Sequence, residues 1–326
     1  LYAKTIEAST AWMVEVSTRS LSRASKTLDL NQCAMSADVA ARAKGAVIGC
    51  LVGDAAATPC HWCYDPAKLA EHLASAKAGP AFCDPPGNVF YTVPIGGFSC
   101  YGNQTMELLE SLVECKGKLD PEVYARRLDE AFGKSSAYEV EAVDPENWPE
   151  LKTNPTDEEG NVIESERKWS MPLPGPWRHG SVKGFLKQYV IEKKRFPECG
   201  SKDEQVDGVC KVAPVVALLA GDPSMLSTVD MAVRVVQNTD KASAFACGFA
   251  RVLEKLILGS ATSVPEAIEA AAADMKQADR GFKTAMDEEV ANNLGKVVGE
   301  FAGLPHSEVG VKLKPEAVAF PFAGLA

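Results

Sequence analysis

The sequence predicts an all-α protein, on three observations. Apolar residues recur at helical spacing in segment after segment, residues that start and stop helices bracket those segments, and no run alternates as a half-buried strand does. No internal repeat of about 20–50 residues appears, which sets aside solenoids and propellers. The 326 residues suffice for one large core. A single-domain bundle of roughly eight to ten helices is the expected architecture.

Composition narrows the function classes. With 44 acidic against 34 basic side chains, net charge −10, no general basic field exists to bind DNA or RNA phosphates. The longest apolar stretches are broken by Lys44, Asp54, Arg251 and Lys255, so no transmembrane segment is expected. Ten cysteines in a chain with ample core read as buried free thiols rather than a disulfide framework.

Residues 1–35 carry no sustained period and are expected to form an N-terminal arm held against another surface. The Ser-rich, basic stretch Ser17–Lys26 faintly resembles the end of a transit peptide, but Glu7 and Glu15 precede it. The compartment stays open, with an intracellular location expected and an organelle as the alternative. Ser36 can cap a helix running on from Ala37, in which Gly45, Gly49 and Gly53 fall on one stripe where another helix could approach closely. From Thr58 to Cys100 the chain is rich in Pro, Gly and aromatics and reads as a long shaped loop, with a short helix over Pro66–Ser75.

Helical period returns at Thr105 with Met106, Leu109, Leu112 and Val113, and again after Asp120-Pro121, with Gly133 as the stop. Between Glu139 and Glu166 stand ten acidic residues and one basic one, interleaved with prolines, which reads as an exposed acidic insertion. Further helices are expected near Ser181, over Asp207–Leu219, Pro223–Gln237 and Asp240–Leu258, the last stopped by Gly259. Ser263 and Glu266 form a capping box with Pro265 in the first turn, so Ala267–Met275 is another helix; the last runs over about Thr284–Phe301. The helical domain thus spans 36–305, followed by a C-terminal tail, 306–326.

Cys60-His61-Trp62-Cys63 has the spacing of a redox pair or half a zinc site, but the other half of a zinc site is missing. Two thiols in a tight turn is the plainer reading. A dyad of Cys100 with His61 or His179 is a further option, outweighed by ordinary burial of both types of residue. Arg178 and His179, after a Pro-rich approach, are candidate contacts for an anionic ligand; the alternative is Arg178 packing on Trp177.

Gly45–Gly53 with Asp54, continuing through Thr58-Pro59-Cys60-His61-Trp62-Cys63-Tyr64-Asp65, resembles the opening motif of the ADP-ribosylglycohydrolase family. Ser99–Met106 sits where that family has its first acidic motif, and Gln237–Gly248 where it has its second. His61-Trp62, Pro176–Ser181 and Asp207–Pro223 look closest to the branch of J-type crystallins and selenoprotein J. The resemblance covers about residues 40–305 and implies an all-α fold and hydrolysis of glycosidic bonds to ADP-ribose at two magnesium ions.

Active members, as the resemblance implies, carry Thr-Asp-Asp-Thr at the first motif, Asp-x-Asp-Thr at the second, and a Glu after the opening Gly-Asp. Here Gly102, Asn103 and Gln104 stand at the Thr-Asp-Asp positions, leaving Thr105; Thr239 and Lys241 replace the two aspartates, and His61 stands near the glutamate. Magnesium needs hard oxygen ligands, chiefly carboxylates, so no cofactor is expected and no residue is assigned as catalytic. Asp240 lies between the former ligand positions and is expected to cap its helix; Lys241 is expected either to neutralise Asp54 without metal or to sit solvated at a helix terminus. The expected function is that of a non-catalytic, structural, crystallin-like or scaffolding subunit with protein partners at the arm and the acidic insertion. The alternatives are a hydrolase of ADP-ribosyl or related glycosidic bonds working by another route, and a metal-free nucleotide-type binding module.

Overall fold

The computed structural model of the chain describes residues 36–63, 65–76, 79–139, 172–279 and 281–313. The N-terminal arm and all of the acidic insertion beyond Glu139 lie outside the described residues. Eleven α-helices occur among those described: α1 Ala37–Ala57, α2 Pro66–Ser75, α3 Cys100–Glu114, α4 Pro121–Phe132, α5 Gly180–Leu186, α6 Val212–Leu219, α7 Met225–Val236, α8 Asp240–Leu258, α9 Val264–Lys276, α10 Asp287–Gly299 and α11 His306–Leu313. The only strands among them are the two-residue β1, Tyr91–Thr92, and β2, Leu173–Pro174, paired in parallel.

Local chemistry sets most of the boundaries. Ser36 accepts from the Val39 N–H at 3.3 Å, Asp65 from Ala67 and Lys68, and Asp120 from Glu122 and Val123, the last two ahead of a proline at the first helical position. Gly259 ends α8 at φ +72°, a left-handed conformation in which a side chain would be strained. At α9 the capping box is widened: Ser263 Oγ accepts from the Glu266 N–H, while the Glu266 carboxylate reaches back chiefly to Thr262, with the Ser263 N–H as a further partner. α3 starts earlier than its apolar period suggests, because Ser99 Oγ caps it by accepting from the Tyr101 N–H at 3.1 Å. The expected helix over Asp207–Leu219 divides into a 3-10 turn, Val206–Lys211, and α6. The segment expected to be a tail opens with α11, where Val309 and Leu313 pack on Phe301.

α6 is apolar on nearly every side and buried from Val212 to Ala217, so it runs through the interior. α8 carries Ala242, Ala244, Ala246, Cys247, Gly248 and Ala250, small residues that let α6, α7, α9 and α10 approach. One core joins α1, α3, α4, α6, α7 and α8; a second joins α8, α9 and α10 and includes a buried ion pair, Arg251 to Asp287 at 3.6 Å. The glycine stripe of α1 is a correction to the sequence reading. Val47 and Leu51 turn inward, while a Cβ at Gly45, Gly49 or Gly53 would meet nothing within 4 Å.

Candidate functional site

Asp54 lies on the last turn of α1, three residues beyond the core residue Leu51, and points at the start of α3. Ser99 donates to it twice, from its backbone N–H to Oδ2 at 2.9 Å and from Oγ to Oδ1 at 2.5 Å, and the Gly102 N–H adds a third bond. A carboxylate thus caps the positive end of a helix dipole. Burial raises its pKa, and these three bonds oppose the rise. The closeness requires glycine at 102, since a Cβ there would fall 2.2 Å from Asp54 Oδ2.

The other first-motif residues are held by protein groups. Asn103 donates from Nδ2 to Tyr138 Oη at 2.6 Å. The Thr105 hydroxyl lies 2.6 Å from the Cys210 carbonyl and 3.0 Å from that of Tyr101, sharing its single proton between them. Gln104, wholly buried, donates to the Cys100 carbonyl and accepts at Oε1 from Lys211 Nζ at 2.8 Å. Lys211 ends the 3-10 turn and is itself 0% exposed.

One turn earlier, Asp207 gathers donors from three elements: Ser181 Oγ at 2.6 Å and His179 Nδ1 at 3.2 Å on Oδ2, and Gln237 Nε2 at 3.2 Å on Oδ1. Burial pushes its pKa up, but His179, Lys211 and Ser181 outweigh burial and hold the carboxyl below its ordinary range. His179 stands at the N-cap of α5, where the same Nδ1 lies 3.2 Å from the Ser181 backbone nitrogen. Gln237, from the second motif, is buried and donates to the Gln205 carbonyl at 3.0 Å as well.

An aromatic cluster connects the two carboxylates' surroundings. His61 Nδ1 lies 2.7 Å from Tyr91 Oη, and the Tyr101 ring stands between His61 and His179, at 5.6 and 5.4 Å. Trp62 meets Tyr91, Phe90 and Trp177 edge-on, and Lys183 Nζ lies 5.1 Å from the Trp177 ring centre. Burial, and then the charge of His179, push the His61 pKa down to about 4.

Several expectations are corrected. Lys241 does not reach Asp54; its partner is Glu204, at 3.5 Å on a partly exposed face. Thr239, not Asp240, caps α8, accepting from the Ala242 N–H at 3.2 Å, and Asp240 pairs with Arg234 at 2.7 Å. Arg178 donates to the Phe132 carbonyl through Nε at 2.8 Å, and Lys183 lies over the Trp177 ring. Cys100 is buried, as expected, and its sulfur accepts from the His179 backbone N–H. Asp54, His61, Gly102 and Gln104 do gather in one region, joined by Asp207 and Lys211, which the sequence reading assigned no role. The trace they leave in the sequence is two opposite charges four residues apart, immediately before the apolar run of α6. Among the described residues no three His, Cys, Asp or Glu side chains are arranged to hold a metal ion.

The profile of the ADP-ribosylglycohydrolase family matches residues 35–322. The chain belongs to this family. Two proteins of Tripedalia cystophora are similar to it: Crystallin J1B, 32% identical over 220 residues (67% of this chain and 58% of that protein), and Crystallin J1A, 32% identical over 228 residues (69% and 61%). The match thus spans about six tenths of the length of these relatives. No solved structure matches the chain. The all-α architecture read from periodicity is the family's own, and among the described residues no helix is long and apolar enough to cross a membrane.

Proposed function

We propose that this chain is a non-catalytic ADP-ribosylglycohydrolase-like protein, serving as a structural, crystallin-like or scaffolding subunit. The observation that carries the reading is the Lys211 ammonium bound to Gln104 Oε1, at a position where the family resemblance places a magnesium carboxylate. A dication needs several hard, uncommitted oxygens. The donor set here is a neutral amide already paired with a cation, a threonine hydroxyl donating to carbonyls, an asparagine on Tyr138, and an Asp54 carboxylate engaged by Ser99 and Gly102. These residues do not fit a pair of magnesium ions, and no hydrolytic step is derived through them. Similarity to two proteins named as crystallins supports the structural side of the reading.

The test is titration of the full chain with magnesium chloride by calorimetry, alongside an assay for release of ADP-ribose from ADP-ribosylated protein. No binding heat in the micromolar range and no magnesium-dependent release are expected. Micromolar magnesium affinity or magnesium-dependent cleavage would overturn the reading in favour of a hydrolase.

A further inference from the structure

Cys60, Cys63 and Cys83 belong to two segments that backbone hydrogen bonds hold together. Phe82 N–H donates to the Ala56 carbonyl, and the Gly87 and Asn88 N–H groups both donate to Pro59, each at 2.9 Å. The Cys63 thiol closes the same contact by donating to the Gly87 carbonyl at 3.2 Å. Under this clamp Cys83 is fully buried, its thiol donating to the Pro85 carbonyl at 3.5 Å, and the Cys60 thiol is its near neighbour. Cys60 and Cys63 are only half-buried, so a small oxidant reaches this corner from outside.

We propose that Cys60 and Cys83 form a reversible disulfide that fastens the 82–88 segment to the turn at the end of α1. The backbone clamp holds the two segments that carry Cys60 and Cys83 against one another, so closure between the neighbouring thiols asks for a side-chain adjustment and not a rearrangement of the chain. Cys63, though nearer to Cys60 in sequence, holds its thiol on the Gly87 carbonyl at 3.2 Å, a shorter bond than the 3.5 Å one from Cys83 to Pro85. A metal is the poorer occupant, since the three thiols do not form a ligand set. Burial and the neighbouring thiols push Cys60 up to about 11, so the thiolate is scarce and the link forms slowly, as a structural bond and not as a fast sensor.

With glutathione disulfide as the oxidant, the Cys60 thiolate attacks one glutathione sulfur, forming a mixed disulfide and releasing one glutathione thiolate. The Cys83 thiolate then attacks the Cys60 sulfur and displaces the second. Two protein thiols are oxidised, one glutathione disulfide is reduced, and the two thiol protons end on two glutathione molecules. The bond would fix the turn that carries His61 and Trp62.

The experiment incubates the full chain with glutathione disulfide, alkylates the remaining thiols and maps linked peptides by mass spectrometry, with melting followed in parallel. A peptide linked through Cys60 and Cys83 is expected, with a melting rise of roughly 5 °C that dithiothreitol reverses. Cys60→Ser is expected to abolish both effects and Cys63→Ser to keep both. Cys83→Ser repeats the test, and Cys60, being half-buried, supplies the variant that folds if Cys83→Ser does not. A Cys60–Cys63 link, a glutathione adduct that never resolves, or thiols that all stay free would each overturn the proposal.

Discussion

Replacing Lys211 by Met removes one ammonium and keeps most of its stem volume, so it isolates the charge from the packing. In the intact protein Lys211 Nζ donates to Gln104 Oε1 at 2.8 Å, and both side chains are fully buried. After the change Gln104 Oε1 has no replacement donor among the contacts described, and an unsatisfied buried acceptor costs about 1–3 kcal/mol. Asp207 also loses one of the cations that offset its burial, although His179 and Ser181 remain. The sum is a loss of about 2–4 kcal/mol, or roughly 3–6 °C in melting temperature for a chain of this size. The acid limb should change as well. Because the folded pKa of Asp207 is depressed, the stability it contributes is present above the unfolded value, about 3.9, and is lost as pH falls through the folded value. Lys211→Met raises that folded value, so less stability remains to be lost and the limb becomes shallower. The assay is urea denaturation at several pH values, with Gln104→Met and the double variant completing a cycle. Removing both partners should restore part of the loss, with a coupling of about 1 kcal/mol or more. A Lys211→Met protein melting within about 1 °C of the parent, or strictly additive losses, would refute the reasoning.

His61 should govern the stability between neutral and acid pH: with a folded pKa near 4 against 6.5 unfolded, the unfolded chain binds a proton that the folded one refuses, so stability falls as pH drops through that window by about 3 kcal/mol in all. His61→Gln should flatten the slope, and an unchanged slope in denaturant titrations would count against the assignment. Gly102→Thr, the residue that the family resemblance implies at this position, should destabilise by about 2–3 kcal/mol, because its Cβ would displace Asp54 from Ser99; calorimetric melting checks this, and a neutral result would mean that Asp54 moves freely. Asp287→Ala leaves Arg251 buried without its carboxylate and should cost about 2–4 kcal/mol, read as a lower urea midpoint at unchanged slope.

The crowded contact between Gly102 and Asp54 also bears on any rewriting of the first motif by residue type alone. Asp54 would have to leave the start of α3, and Lys211 would remain beside any carboxylate placed at position 104.

What the sequence by itself determined is the set of interactions made within a few residues. Ser36, Asp65-Pro66, Asp120-Pro121 and Gly259 bound their helices because caps and φ restrictions act over one turn, and the apolar period of α3, α4 and α8 picks the buried face. The family motifs, being ordered strings of residues, were legible in the same way. Tertiary structure decided which charge meets which. Lys241, next to the second motif, turns to Glu204, while Lys211, which the motifs do not mark, is carried by the 3-10 turn onto Gln104. Period shows which side of a helix faces inward, but not which helix it faces. The glycines of α1 therefore read as a packing stripe and turn out open, and Asp207 could be recognised as a junction only once α5, the 3-10 turn and the end of α7 had come together around it.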